Sequence, residues 1–307
     1  SKTSASYEYV DAHHVHDVLP RSGSTNGGTI VYVSGTGFKN TSNLYCRFGT
    51  LSAVHGVYIS STNVSCVSPM YQIGTISVEV TTNGVDYSED MVQYRYYASP
   101  AISHIVPSSG PTEGGTVVSV YGRNFIDSDS LYCRFGNDST VAGRWVSSDR
   151  VECQTPSMVA SNVVVEVTNN GFDYTANRVE FTVLPESVVT SVDPTFGPIG
   201  TSTSVTVHGS GFVFSRSLYC RFGLLSVAAM FVNDTMVVCS APDAAQGSVD
   251  VRVSSNGVDY SKTSASYEYV DAHHVHDVLP RSGSTNGGTI VYVSGTGFKN
   301  TSNLYCR

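Results

Sequence analysis

LYCRFG at residues 44–49 returns at residues 131–136 and 218–223, each time 87 residues further along the chain. A Gly-containing segment precedes each copy, a second cysteine follows about twenty residues later, and an Asn-Gly pair closes the block at Asn83, Asn170 and Asn256. Pro20, Pro107, Pro194 and Pro280 lie 87, 87 and 86 residues apart. Self-similarity at a fixed spacing indicates one structural module per period. The sequence therefore predicts three modules of about 87 residues.

A longer repeat encloses these three modules. Residues 261–307 are identical to residues 1–47, at an offset of 260 residues. We interpret this identity as natural tandem repetition, because nothing in the sequence resembles a tag or a linker scar. The alternative is an artificial duplication. We expect the last strand of a preceding third-type module in residues 1–11, the three modules in residues 12–98, 99–185 and 186–271, and the start of another first-type module in residues 272–307.

The residue pattern predicts β-structure throughout. Only 14% of the residues are charged, and residues 29–33, 116–120 and 248–253 alternate small or polar side chains with branched apolar ones. Such alternation is typical of half-buried strands. Several short strands within each module indicate a two-sheet sandwich. Each Asn-Gly pair predicts a two-residue type I′ hairpin turn, with the last strand of the module leading toward the next.

These motifs resemble the IPT/TIG domain, the immunoglobulin-like module of plexins and some transcription factors. The resemblance rests on Pro-x-x-Gly, GGT, G-x-G-F, C-R-F-G, the second cysteine and N-G-x-x-Y-S, and it covers essentially the whole chain. In the third module Ile199 and Gly200 replace the Gly-Gly pair. The resemblance implies tandem early-set immunoglobulin-like sandwiches, and junctions without Gly/Ser-rich tethers suggest a semi-rigid, rod-like array. It says little about function, since this fold serves many roles.

The cysteines fall into pairs within the modules: Cys46 with Cys66, Cys133 with Cys153, and Cys220 with Cys239. Spacings of 20, 20 and 19 residues do not fit a Cys-x-x-Cys metal or redox site. We expect disulfides, with reduced core cysteines as the alternative, and therefore an extracellular or cell-surface location. Cys306 repeats Cys46, so we expect its partner in the module that Cys306 opens.

Five Asn-x-Ser/Thr sequons predict N-linked glycans: Asn40, Asn63, Asn137, Asn233 and Asn300, the last repeating Asn40. Their number is close to what composition alone would produce, so the argument rests on their positions in turn-like stretches and on the expected disulfides. The alternative is a solvated loop asparagine. The abundant Ser and Thr residues also permit O-linked glycans. No other cofactor is expected.

A histidine-rich segment, residues 11–17, joins one super-repeat to the next and recurs at residues 271–277. On a strand, His14 and His16 share a face and could hold a metal ion with Asp17. The favoured alternative is a polar connector without metal, and pH-sensitive association is a further possibility because histidine titrates near neutral pH. We interpret Asp86, Asp173 and Asp259, and likewise Asp127 and Asp129, as structural turn residues rather than calcium ligands.

Nothing in the sequence points to catalysis, since no Ser or Cys nucleophile has a recognisable setting. Lys and Arg number 17 against 25 Asp and Glu, without a basic run, which argues against nucleic-acid binding. No apolar stretch in this sequence is long enough to span a membrane.

Two functions remain. The first is a structural subunit of an extracellular, glycosylated filament that self-associates through equivalent surfaces repeated every 260 residues. The alternative is the ectodomain of a cell-surface receptor or adhesin, in which one module binds a ligand or a cell. A carbohydrate-binding role ranks third, because the single Trp, Trp145, provides no aromatic platform in every module.

Overall fold

The computed structural model describes residues 12–137, 139–298 and Cys306. All regular elements in these residues are strands, and no helix among them is long and apolar enough to cross a membrane. The predicted all-β, immunoglobulin-like class is confirmed. The strand that the sequence assigns to residues 1–11 lies outside the described residues.

The first module forms two facing sheets. Its nine strands are β1 (His14–Leu19), β2 (Ser22–Ser24), β3 (Ile30–Thr36), β4 (Tyr45–Phe48), β5 (Val54–His55), β6 (Val57–Ser60), β7 (Asn63–Val67), β8 (Gly74–Thr81) and β9 (Val92–Tyr97). One sheet has the order β1-β3-β7-β6 and the other has the order β2-β9-β8-β4-β5. All contacts are antiparallel except the parallel pair of β2 and β9.

The other modules repeat this plan. The second has β10 (Ala101–Val106), β11 (Ser109–Pro111), β12 (Val117–Arg123), β13 (Tyr132–Phe135), β14 (Ser139–Ser147), β15 (Arg150–Gln154), β16 (Ser161–Thr168) and β17 (Val179–Leu184). The third has β18 (Val188–Asp193), β19 (Phe196–Pro198), β20 (Ser204–Ser210), β21 (Tyr219–Phe222), β22 (Leu225–Asn233), β23 (Met236–Ser240), β24 (Gly247–Ser254) and β25 (Ala265–Val270). An antiparallel pair follows, β26 (His274–Leu279) and β27 (Tyr292–Thr296).

By contact density the chain divides into two compact units. One comprises Ser1–Val106, Val117–Pro156 and Asn162–Phe181; the other comprises Pro107–Thr116, Ser157–Ser161 and Thr182–Arg307. The first unit holds the first module and strands β10-β12-β15-β14-β13-β16 in that order. The second holds β11, which pairs in parallel with the end of β17, and the third module, in the order β18-β20-β23-β22-β21-β24-β25-β19.

A β-bulge in the first strand of each module changes which of its side chains point into the core. In β1 the pairing with β3 shifts between Val15 and Asp17, so Val15 and Val18, three residues apart, both lie in the core. A regular strand would turn every second side chain inward. The same shift occurs in β10 and β18, where the buried pairs are Ile102 with Ile105 and Val189 with Val192.

Disulfides fix one sheet to the other. Cys46 on β4 bonds to Cys66 on β7, which belongs to the facing sheet, and both are fully buried. Cys133–Cys153 and Cys220–Cys239 occupy the corresponding positions. Aromatic rings pack beside them edge to face: in the first module Phe48 and Tyr94 have ring centroids 5.5 Å apart. All three predicted pairs are present, and Cys306 is exposed without a disulfide partner among the described residues.

The predicted two-residue type I′ turn is wrong. That turn needs a positive φ at both central residues. Gly84, Gly171 and Gly257 have φ of 81°, 80° and 78°, but the asparagine before each does not have a positive φ. The strands are also too far apart in sequence, since β8 ends at Thr81 and β9 begins at Val92. The connection is a longer loop, and the asparagine organises it through its side chain.

Candidate functional site: the junctions between modules

The Asn-Gly loop is ordered by its own side chains. In the second module, the Asn170 Oδ1 accepts hydrogen bonds from the backbone N–H groups of Phe172 (3.0 Å) and Asp173 (2.9 Å). The Asn170 Nδ2 donates to the Asp173 Oδ2 over 2.8 Å, and the Thr168 hydroxyl accepts from the Gly171 N–H. Such side-chain to backbone bonds are the usual way in which Asn shapes a turn. The carboxylate of Asp173 is therefore held in one orientation.

In the first unit this loop contacts the first module. The Thr29 hydroxyl donates to the Asp173 Oδ2 over 2.6 Å, and the Asn170 Nδ2 donates to the Ser22 carbonyl oxygen over 2.8 Å. Thr29 belongs to the GGT segment that precedes the CRFG motif, and Ser22 lies on β2. A short bond between a hydroxyl and a carboxylate is among the stronger protein hydrogen bonds.

In the second unit the same pair of contacts joins β11 of the second module and its flanking segment to the third module. The Thr116 hydroxyl donates to the Asp259 Oδ2 over 2.7 Å, and the Asn256 Nδ2 donates to the Ser109 carbonyl oxygen over 2.8 Å. An ion pair between Lys262 and Glu113 adds to this junction. Its hydrogen bond holds the pKa of the Glu113 carboxyl below its ordinary range and raises the pKa of the Lys262 ammonium.

The Asn-Gly loops of the second and third modules are more buried than that of the first module, for which the described residues show no contact of this kind. Asn170 and Asn256 are 4% and 8% exposed, whereas Asn83 and Asp86, at the same positions of the first module, are exposed. Asn83 keeps its bond to Asp86 within the loop. Asp173 and Asp259 are thus acceptors at junctions as well as turn residues. In the sequence, GGT recurs in the first two modules and N-G-x-D in all three, but this recurrence does not show which GGT segment contacts which loop.

Tyrosines lie close to the first junction. Burial raises the pKa of Tyr94 and of Tyr97, and the negative charge of Asp173 raises both further. A carbon atom added at Gly23 would lie 2.0 Å from the Tyr94 hydroxyl and 2.4 Å from the Thr29 hydroxyl, so these groups are tightly packed. The phenols of Tyr94 and Tyr97 therefore stay protonated and uncharged beside the Asp173 carboxylate.

The histidine-rich segment contacts its own module. The His13 Nε2 lies 2.7 Å from the Val80 carbonyl oxygen, and the His14 Nδ1 lies 3.0 Å from the Asp90 Oδ1. Asp17 instead forms an ion pair with Arg21. Of the residues suggested as metal ligands, His14 contacts the Asp90 carboxylate and Asp17 pairs with Arg21. His16 acts on Asp90 only through its charge. In the described part of the chain no three His, Cys, Asp or Glu side chains form a metal-binding group, and this includes Asp127 and Asp129.

Asp90 receives several interactions from this segment. Its Oδ2 accepts the Val15 N–H over 2.6 Å. Burial by itself raises the pKa of the Asp90 carboxyl, but the hydrogen bonds from Val15 and His14 and the charges of His14 and His16 outweigh it, so that the pKa is below its ordinary value. The segment therefore ties the start of the first module to its Asn-Gly loop region.

Four of the five sequon asparagines lie at the surface: Asn40, Asn63, Asn137 and Asn233 are exposed. The Asn233 side chain accepts hydrogen bonds from the N–H and the hydroxyl of Thr235 in its own sequon, at 3.0 and 2.9 Å. Asn300 lies outside the described residues. Glycosylation at these positions stays a prediction.

The sequence and the fold were compared with those of known proteins. The chain is 24% identical over 290 residues to human fibrocystin-L and 28% identical over 291 residues to mouse fibrocystin-L, covering 92% of this chain in both cases. It is 28% identical over 214 residues, 65% of the chain, to Plexin-2 of Caenorhabditis briggsae, of which it covers 12%. The extracellular region of plexin A4 superposes with a TM-score of 0.42 at 15% identity, covering 89% of this chain and 26% of that one.

The chain spans about 7% of the length of the fibrocystin-L proteins that it matches. Its disulfides and these relatives identify it as an extracellular or cell-surface region. The family profile described as IPT/TIG domain matches residues 14–96, 100–183, 187–269 and 274–307, which is nearly the whole chain. The chain therefore belongs to the IPT/TIG domain family.

Proposed function

We propose that the chain is part of the ectodomain of a cell-surface receptor or adhesin and has no catalytic role. In this proposal, tandem IPT/TIG modules hold a ligand-binding or cell-binding module away from the membrane. The similarity to fibrocystin-L and Plexin-2 along most of the chain supports this kind of extracellular region.

The observation that carries the proposal is the repeated junction. In each compact unit an Asn and an Asp from one Asn-Gly loop bond to a carbonyl and a Thr hydroxyl of the preceding module. Contacts that recur in kind and position constrain neighbouring modules, because each must break before the modules can separate. A spacer that holds a binding module at a distance requires such constraint.

Labelling of intact cells tests this proposal. An antibody against exposed residues of the chain should stain cells that have not been permeabilised, and a protease added outside should remove the stain. Staining that appears only after permeabilisation would contradict the proposal. Antibody fragments directed at single modules, tested for blocking of cell or ligand attachment, would then identify the binding module.

A second candidate is a subunit of an extracellular filament that self-associates and carries glycans. The identity of residues 261–307 with residues 1–47 favours it, because identical surfaces at a fixed spacing can make the same contact repeatedly. Electron microscopy of the native material distinguishes the candidates. Filaments whose axial repeat corresponds to three modules would support this one, whereas dispersed single molecules, or an axial repeat of one module, would contradict it.

A further inference from the structure

The arginine of the CRFG motif has a carboxylate partner in two of the three modules. In the first two modules it lies directly across from a glutamate on the neighbouring strand, in the pairs Arg47–Glu79 and Arg134–Glu166. The Nε of each arginine donates to one glutamate oxygen, at 3.0 and 2.9 Å, and an Nη atom donates to the same oxygen. Each guanidinium carbon lies 3.9 Å from the centroid of a tyrosine ring, Tyr87 or Tyr174.

The third module keeps the arginine and the tyrosine but not the glutamate. Arg221 stands over the Tyr260 ring at 4.1 Å, and the residue directly across from it on β24 is Arg252. Arg252 turns to other groups: its Nη1 donates to the carbonyl oxygens of Ser261 and Lys262, at 2.9 and 2.8 Å. Its Nη2 lies 3.4 Å from the Asp250 Oδ2.

Among the described residues, no carboxylate pairs with Arg221 as the glutamates of the other two modules pair with Arg47 and Arg134. The Arg221 Nε is shut off from solvent and has no hydrogen-bond partner among the described residues. Like charges directly opposite each other on paired strands are unfavourable, so Arg221 and Arg252 leave an excess of positive charge at this point of the sheet. The other two modules show which chemical group the arginine accepts in this position, namely a carboxylate oxygen.

We propose that Arg221, supported by Tyr260, binds the carboxylate of an acidic sugar in an extracellular glycan. Arg221 as a whole is only partly buried, so the ligand carboxylate reaches the accessible part of its guanidinium from the face of the sheet, and the buried Nε is not part of the contact. A planar guanidinium is suited to a carboxylate because its N–H groups form a rigid fork. The Ser226 hydroxyl, across from Arg221 on β22 and 2.8 Å from the Tyr260 hydroxyl oxygen, offers a further polar contact for a sugar.

The position of the site in the sheet favours a glycan over a peptide. Strand β21 is paired on both sides, with β22 and β24, and β24 is paired with β25. An extended peptide adds to a sheet through the unpaired backbone of an edge strand, and none is available here. The site offers side-chain donors and hydroxyls on the face of the sheet, which suit a carboxylate and neighbouring sugar hydroxyls.

Titration of the whole 307-residue chain with a hyaluronan octasaccharide tests the proposal, with a neutral chitin oligosaccharide of similar length as the ligand control. Calorimetry at low ionic strength should detect binding of the first and not of the second. Arg221→Met, which keeps the packing on Tyr260, should weaken binding at least about tenfold. The matched control is Arg134→Met, at the arginine already paired within the second module, and it should bind like the wild type.

A second variant keeps the proposal falsifiable if Arg221→Met disturbs folding. Arg252→Glu places a carboxylate across from Arg221, as in the other two modules, so it should compete with the ligand and weaken octasaccharide binding at least about tenfold. The proposal would be overturned if Arg252→Glu bound the octasaccharide as tightly as the wild type does. It would also be overturned if the wild type did not bind the octasaccharide. A glutamate-rich octapeptide that binds as tightly as the octasaccharide would overturn the assignment to a sugar.

Discussion

Thr29 donates a 2.6 Å hydrogen bond to Asp173, although 144 residues separate them in the sequence. Thr116 and Asp259 repeat this bond at a separation of 143 residues. Both aspartates come from Asn-Gly loops, and both threonines begin the strand region that leads to a CRFG motif. One module therefore recognises the preceding one through a fixed pair of polar groups.

Asp173→Ala should destabilise the second module. It leaves the Thr29 hydroxyl without its acceptor and the Asn170 amide without one of its two acceptors. A hydrogen bond to a charged group contributes about 1.5–3 kcal/mol, so we expect a loss in that range. Urea unfolding followed by the fluorescence of Trp145, the one tryptophan of the chain, measures it.

The matched control is Asp86→Ala, at the same position of the first module, where the loop is exposed and bonds to no other module among the described residues. The Trp145 transition should not change in this variant. A double-mutant cycle with Thr29→Val then isolates the pair, because Thr29→Val should cost little once Asp173 is absent. Equal effects of Asp86→Ala and Asp173→Ala would refute the role of the junction bond.

The stability of the first module should fall at acid pH through Asp90. Its folded pKa is lowered below the ordinary value of 3.8. A lowered pKa means that the ionised form stabilises the fold above the unfolded value, and that this contribution disappears as the pH falls through the folded value. Asp90→Asn should therefore be less stable than the wild type at neutral pH, and the two proteins should converge in stability as the pH falls below the ordinary carboxyl value of 3.8.

Hydrogen exchange of the amide of Val15, whose acceptor is Asp90, reports this change locally. In the wild type the protection of this amide should fall as the pH is lowered, after correction for the intrinsic exchange rate. In Asp90→Asn the protection should already be reduced at neutral pH. A difference between the two proteins that stays constant down to pH 2 would count against the electrostatic explanation.

Gly35→Ala should unfold or severely destabilise the first module. A methyl group at Gly35 would lie 1.9 Å from the His14 carbonyl oxygen and 2.6 Å from the Phe38 ring. The backbone cannot move away without breaking the β1–β3 pairing, so we expect a loss of at least about 3 kcal/mol. Circular dichroism during thermal unfolding measures it.

Gly28→Ala is the control for Gly35→Ala. Gly28 has a φ of 86° and open space around the added carbon atom. Only the cost of a left-handed backbone applies there, about 1–2 kcal/mol. If both alanine variants were equally stable, the close approach at the bulge would not be the constraint that the structure indicates.

N-linked glycans should be present at Asn40, Asn63, Asn137 and Asn233 when the chain passes through a eukaryotic secretory pathway. All four side chains are exposed, which the transferring enzyme and a bulky sugar require. Mass spectrometry of peptides after enzymatic removal of the glycans in heavy-oxygen water identifies each occupied site. Asn26, exposed but outside a sequon, is an internal control and should remain unmodified. Unmodified peptides at all four positions would contradict the prediction.

Much of the fold could be predicted because its signals are local. Alternation of apolar residues located β3, β12 and β24, and the spacing of the cysteines within each module predicted the three disulfides. The turn prediction failed because Asn-Gly is compatible with two loop geometries. The backbone conformation of Asn83 and the hydrogen bonds from the Val85 and Asp86 N–H groups to its side chain decide between the two geometries. Both depend on the number of residues between the two strands that the loop joins.

From the sequence alone follow the three-module period, the sandwich of each module and the inter-sheet bridges, since each depends on residues within one stretch of about 87 positions. Only the tertiary structure shows that Asp173 and Asp259 bond across junctions and that Arg221, unlike Arg47 and Arg134, pairs with no carboxylate in the part of the chain that the structure describes. The physical reason is that a hydrogen bond or an ion pair requires two groups, which here lie far apart in the sequence. A pattern along one strand predicts which way a side chain faces, but the charge and hydrogen-bonding capacity opposite it come from another part of the chain.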